Sequence, residues 1–150
     1  MGKLDGQWAL VTGGDPGAAA EVVVKGRHVA VPRAAGTAAR FAFHDLCEKP
    51  LGARDFLAIA GRFDTLFVDH VPVMDDSRRN EAKRFILLID TLYDHKVRLV
   101  VSAAAAPGEL YRGRRGHEAF EFDRTASRLM EMQSRDWLEA WSARHGVVAA

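Results

Sequence analysis

Only one cysteine, Cys47, stands among the 150 residues, so no intrachain disulfide can form, and the lone thiol suits a reducing compartment. A charge excess is lacking too. With 21 basic against 20 acidic residues, there is no electrostatic case for nucleic acid or a membrane surface as the main partner. No apolar run nears the roughly 20 residues of a spanning helix, and the amino-terminal stretch has no signal-peptide core. These absences predict a soluble, cytoplasmic protein with no transmembrane segment. What is there is ordinary: 48% hydrophobic and 27% charged residues, at a length that makes about one domain with a genuine core.

The most informative stretch is 84–107. It predicts an amphipathic helix, a polar turn at Asp94-His95-Lys96, and a buried strand over 97–101 that runs into Ser102 and a small-residue loop closed by Pro107. Helix followed by fully apolar strand is the repeating unit of a parallel α/β sheet, whose active sites gather beyond the carboxyl ends of the strands. A second such unit precedes it. Phe56, Ile59, Ala60 and Phe63 share one face of a helix starting near Ala53, and residues 65–71 follow as a strand ended by Pro72. Asp76 or Ser77 is placed to cap the next helix, whose inward stripe is Phe85, Leu88, Ile89 and Leu92.

Before residue 44 the pattern is β-like. Residues 21–24 and 28–31 are β-branched runs around Lys25-Gly26-Arg27, a hairpin signature, and residues 40–43 alternate as a third short strand. Trp8 to Thr12 is a short apolar stretch, strand or helix end, broken by the turn Gly13-Gly14-Asp15-Pro16-Gly17. Beyond the second unit, residues 111–117 read as an exposed mobile loop and residues 120–122 as a short extended piece. One last helix is expected over 124–144, with Leu129, Met130, Trp137 and Trp141 on one side and Gly146 as its stop.

Several familiar motifs fail on inspection. Residues 9–17 resemble the opening of a short-chain dehydrogenase, yet the following helix is cut short by Val22-Val23-Val24. The Tyr–Lys pair of such enzymes needs i, i+4 spacing, whereas Tyr93 and Lys96 are i, i+3. No Gly-Lys-Ser/Thr exists anywhere, since Gly2-Lys3 is followed by Leu4, so the lysine and hydroxyl that hold phosphate and magnesium are missing. Leu66-Phe67-Val68-Asp69 imitates a magnesium-binding acidic strand without a phosphate loop to serve; a polar group ending a buried strand is the plainer reading. His44 with Cys47, or Asp69 with His70, offer two ligands at most, so no metal site is expected. Ser102, Ser127, His70 and His95 make no triad signature without a Gly-x-Ser-x-Gly elbow.

The cationic residues are more open. Arg112, Arg114 and Arg115 lie in a glycine-spaced loop, a solvated surface or a phosphate or partner contact. Arg78, Arg79, Lys83 and Arg84 form either a charged outer helix face or, at Arg84, a reach toward phosphate or a neighbouring subunit; Arg128 divides the same way. Met130, Met132, Trp137 and Trp141 read as core or docking surface.

Taken in order, several segments resemble one family. They are Phe43-His44-Asp45-Leu46-Cys47, Pro50-Leu51-Gly52-Ala53-Arg54-Asp55-Phe56, Phe67-Val68-Asp69-His70-Val71-Pro72-Val73-Met74, residues 83–103, and residues 124–134. Together they resemble the C-terminal part of the ZapE-type, or AFG-like, P-loop ATPases, whose bacterial members are linked to cell division and mitochondrial relatives to protein quality control. The usual tyrosine of the Pro50 segment is Phe56 here. The usual arginine pair before the phenylalanine is Lys83-Arg84, so only the second position keeps guanidinium geometry. In the family, the phosphate loop, the magnesium-binding strand and the first polar sensor lie in an N-terminal half that these residues do not match.

The resemblance implies an α/β fold, part of a P-loop NTPase-like parallel sheet with flanking helices, with residues 1–43 a β-rich hairpin region and 44–150 the α/β part. It implies a fragment of an ATPase that uses ATP and Mg in full-length members, with none expected for this chain alone. Its partner would be the missing P-loop half or a neighbouring protomer, or a cell-division protein, and not nucleic acid. No catalytic or metal residue is expected, and Arg84 and Arg128 are the candidate nucleotide-binding residues. The alternative is a non-enzymatic module docking a division or membrane-associated protein through its last helix.

Overall fold

The computed structural model describes residues 18–114 and 116–145. The apolar stretch at Trp8 to Thr12, the glycine turn after it, Arg115 and the expected stop at Gly146 lie outside the described residues.

The chain enters as the expected hairpin. Strands β1 (Ala18–Val24) and β2 (Arg27–Ala35) pair antiparallel with Val24 opposite Arg27, which leaves Lys25 and Gly26 as a two-residue turn. That tight reversal needs positive φ, and Gly26 supplies it at 83° without a Cβ to clash. Val22, Val24, Val29 and Val31 turn inward, whereas Val23 is 71% exposed. Strand β3 (Ala38–Ala42) pairs antiparallel with β2 and parallel with β4 (Thr65–Val71), which pairs parallel with β5 (Arg98–Ala103). Among the described residues the sheet therefore runs β1-β2-β3-β4-β5, and the hairpin continues into the parallel part without a break.

Helices connect the parallel strands. After β3 come α1 (Phe43–Cys47) and α2 (Ala53–Arg62); after β4 comes α3 (Arg79–Asp94). Asp45 caps α1 by accepting from the Ala42 amide at 2.9 Å, and Asp55 does the same for α2 from Gly52 at 2.7 Å. Asp55 is fully buried and also pairs with Arg27, which ties the hairpin turn to α2. The expected stripe of α3 holds: Phe85, Leu88, Ile89 and Leu92 are all fully buried. They pack with Phe43, Phe56 and Ile59 against Phe41, Leu66 and Val68 on one sheet face. On the opposite face Phe67 joins Ala38 and Val100. Strand β4 is thus buried on both sides, as its run of successive apolar residues predicts.

Several boundaries differ from the sequence reading. The third strand ends at Ala42, and Phe43 opens α1 instead of extending it. Neither Asp76 nor Ser77 caps the helix region after β4; Asp75 does, accepting from the Ser77 amide at 2.9 Å. Residues 120–122 are not extended but helical, inside α4 (Glu118–Glu131). Phe120 is 80% exposed while Phe122 is buried, so their alternation reflects opposite sides of a helix and not the faces of a strand. The single last helix is two: α4 ends in a turn, and α5 (Arg135–Arg144) starts anew with Ser134 accepting from the Trp137 amide at 3.2 Å. Met130 points away from the side shared by Leu129, Trp137 and Trp141 and is 55% exposed.

Candidate functional site

Polar groups from β3, β4 and β5 meet toward the carboxyl ends of these strands, the β3 group reaching there from mid-strand. Arg40 on β3 donates Nε–H to Asp69 on β4 at 2.6 Å, with both side chains about one-sixth exposed. One residue on, His70 takes a left-handed backbone (φ 63°) and donates its amide to the Ser102 hydroxyl of β5 at 2.8 Å. The ladder between β4 and β5 shifts register there, between Val68 and Val71. Asp69, the residue that imitates a magnesium ligand, thus holds an arginine. No three His, Cys, Asp or Glu side chains among the described residues gather into a group that could hold a metal ion.

Arg84 and Arg128 sit apart. Arg84 on α3 donates Nη1–H to the carbonyl of Cys47 at 3.0 Å, where α1 ends and its unpaired carbonyls collect partial negative charge. Burial pushes the Cys47 thiol far above its ordinary pKa, with the Arg84 charge opposing, so the thiol stays protonated and inert. The neighbouring Lys83 turns the other way, with Nζ 3.4 Å from Glu118 on α4. The cationic pair is therefore split between two helices.

Arg128 on α4 pairs with Asp90 of α3, and its guanidinium lies 4.6 Å from the centre of the Tyr93 ring. Arg124 reaches the other Asp90 oxygen at 3.2 Å, and Tyr93 donates its hydroxyl to Glu131 at 2.8 Å. That hydrogen bond, followed by desolvation, raises the Tyr93 pKa. Six residues separate Arg84 from Asp90, which at 3.6 per turn is about 120° around α3. The two candidate arginines thus serve different faces of one helix. The partners of Arg128, Asp90 and Tyr93, lie on another helix and escaped the sequence reading; spacing alone shows only that Arg124, Arg128 and Glu131 share one face of α4.

The loop carrying Arg112 and Arg114 is fastened at several points. Arg112 donates its amide to Met74 at 2.7 Å, and Arg114 donates to Asp76 at 3.0 Å. Glu118, only 2% exposed, receives Arg79 Nε–H at 2.9 Å and lies against Lys83. Desolvation raises its pKa, but the hydrogen bond and charge of Arg79 outweigh that and hold the carboxyl below its usual range. No sequence signal marked Glu118. It sits next to a glycine-spaced loop and looks solvated. The loop is held at its base by the two bonds to Met74 and Asp76, and the Arg112 and Arg114 side chains are exposed, as the sequence predicts.

Trp137 and Trp141 are buried, at 7% and 4% exposure. Trp141 donates Nε1–H to the Asp64 carbonyl at 3.1 Å and has the Arg98 guanidinium 4.3 Å from its ring centre. Trp141 thus closes the amino ends of β4 and β5, and the two buried indoles offer no free docking surface. No helix among the described residues is long and apolar enough to cross a membrane.

A mixed sheet whose last three strands are parallel and joined by crossover helices is consistent with a P-loop NTPase-like α/β fold. The family model described as AFG1-like ATPase matches residues 2–140, and the chain belongs to that family. It is 34% identical over 137 residues to the cell division protein ZapE of Escherichia coli K12, covering 91% of this chain and 36% of that protein. It is 38% identical over 144 residues to lactation elevated protein 1 homolog B of Danio rerio, covering 76% of this chain and 29% of that one. An uncharacterized Schizosaccharomyces pombe protein is 33% identical over 84% of this chain. The chain thus spans about a third of the length of the curated relatives it matches. No solved structure matches it.

Proposed function

We propose that these residues form the C-terminal part of a ZapE-type ATPase that acts in the cytoplasm in a process related to cell division. The observation that carries this reading is the family match over residues 2–140, supported by a mixed sheet whose last three strands are parallel. Hydrolysis of Mg-ATP belongs to the assembled ATPase and not to these residues alone. Two features support that division. Gly-Lys-Ser/Thr is absent from the sequence, and Asp69 is engaged with Arg40. Phosphoryl transfer depends on a preorganised loop and metal, so the described side chains do not suffice to hold Mg-ATP.

In the assembled enzyme, Arg84 and Arg128 contact nucleotide or the neighbouring protomer. Arg128 is the better prepared, because Asp90 and the Tyr93 ring fix its guanidinium while the side chain keeps 23% exposure. The polypeptide that carries the phosphate loop, joined to this chain or encoded beside it, is the required partner. Combining the two and assaying ATP hydrolysis tests the reading; Arg128→Ala should then lower turnover at least tenfold, an interaction of about 1.4 kcal/mol. A non-enzymatic docking role through Trp137 and Trp141 draws no support from their burial.

A further inference from the structure

Helices α3 and α4 lie side by side and run the same way. Glu118 at the start of α4 meets Arg79 and Lys83 in the first turns of α3, and Glu131 at its end meets Tyr93 in the last turn. Because α3 follows β4 and leads into β5, both helices run from the carboxyl ends of the parallel strands toward their amino ends. Nucleotides bind beyond the carboxyl ends of such strands. At about 1.5 Å of rise per residue, Arg84 lies about 8 Å down α3 from Arg79, whereas Asp90 and Tyr93 lie about 17 and about 21 Å down. Arg128 is fixed to those last two. It therefore stands at the pole away from the nucleotide side, the same pole at which Trp141 meets the Asp64 carbonyl just ahead of β4.

Phe120, Arg124, Ser127 and Glu131 recur at i, i+4, i+7 and i+11, which makes one stripe of α4, and all four are exposed. Phe120 is 80% exposed, a large apolar side chain held in water. Arg128 borders the stripe. Aromatic rings set among arginines are the composition of a protein–protein contact. The charges agree with that. Arg124 and Arg128 hold Asp90, Lys96 and Arg128 lie against the Tyr93 ring, and Glu131 accepts the Tyr93 hydroxyl. Three positive and two negative side chains are thus joined, and the surplus of one charge suits a single carboxylate better than a triphosphate. Each arginine gives one N–H to Asp90, which leaves both guanidinium groups with donors for a further acceptor. Asp90 and the Tyr93 ring already hold Arg128 in place, so little side-chain entropy is lost when that acceptor arrives.

We propose that this stripe of α4 is the contact with a neighbouring protomer of the ATPase, in which Phe120 packs on an apolar side chain and Arg124 and Arg128 receive a carboxylate. The inference rests on the ATPase reading and assigns Arg128 to the protomer and not to nucleotide. Arg84 keeps the nucleotide side. Its partner, the Cys47 carbonyl, ends the short helix that starts at the carboxyl end of β3.

The test is sedimentation of this chain mixed with the polypeptide that carries Gly-Lys-Ser/Thr, with ATP hydrolysis measured in the same samples. Phe120→Ser and Arg128→Glu should each weaken association between complexes about tenfold or more, the effect of a central interface side chain, and about 1 M salt should weaken it too. Phe120→Ser alters a side chain that is 80% exposed, so an unchanged urea midpoint separates a lost contact from a lost fold. Turnover should fall with association and return as protein concentration is raised, with the KM for ATP unmoved. A raised KM for ATP in Arg128→Glu with association intact puts Arg128 on nucleotide and overturns the proposal. Association intact in both variants overturns it whatever the turnover. Association lost in variants of a mixture that never hydrolyses ATP supports the surface and counts against the ATPase reading. Native complexes that hydrolyse ATP while staying single at every concentration overturn the surface and leave the ATPase reading standing.

Discussion

Arg84, Arg128 and Glu118 show how differently three charged side chains of similar appearance are used. Arg84 satisfies the Cys47 carbonyl at the end of α1, so Arg84→Ala should cost about 1.5–3 kcal/mol in urea unfolding, the range for hydrogen bonds to charged groups. Arg128→Ala should cost less than about 1 kcal/mol, because Arg124 still pairs with Asp90 and the site is partly exposed. A drop in ATP hydrolysis by the assembled enzyme with stability nearly unchanged would then mark Arg128 as a nucleotide or subunit contact. Glu118 has a folded-state pKa below its ordinary 4.5, so its stabilisation is present above that value and is lost as pH falls through the lower, folded-state one. Thermal melts from pH 7 down to pH 3 should show a steeper acid loss for the native chain than for Glu118→Gln; parallel curves would rule out this role.

Individual helices and strands were legible where a single period governs them. The stripe of Phe85, Leu88, Ile89 and Leu92 placed α3, and the apolar run of Leu66-Phe67-Val68 placed β4, because both are buried on the sides their spacing dictates. The region after β5 was harder to read. Phe120-Glu121-Phe122 alternates apolar and polar residues and so imitates a strand, but burial of Glu118 by Arg79 and Lys83 is a tertiary contact no local pattern encodes. Likewise the break between α4 and α5 depends on Ser134, a cap whose signal is hidden inside a continuous helical composition. Of the candidate site, the positions of Arg84 and Arg128 were visible in sequence, whereas their partners Cys47, Asp90 and Tyr93 are set by how α1 and α4 pack on α3. Ser134→Ala should destabilise by about 1 kcal/mol and lower helical ellipticity; an unchanged denaturation midpoint would show that α5 is held by Trp137 and Trp141 packing alone.

Among the described residues the sheet ends unevenly, with β1, which carries Glu21, at one side and the apolar β5 at the other. An exposed apolar edge of this kind pairs readily with other chains. The 150-residue chain alone should therefore sediment as oligomers, and a monomer with a sharp two-state melt would contradict that expectation. Addition of the phosphate-loop polypeptide should replace those oligomers with a defined complex. The chain belongs to the AFG1-like ATPase family, and we propose that the phosphate-holding residues are supplied from outside these 150. The most direct test of that claim is steady-state ATP hydrolysis by the purified chain, alone and after mixing with the polypeptide that carries Gly-Lys-Ser/Thr. No turnover alone and turnover on mixing is the expected result; hydrolysis by the chain alone would contradict the account.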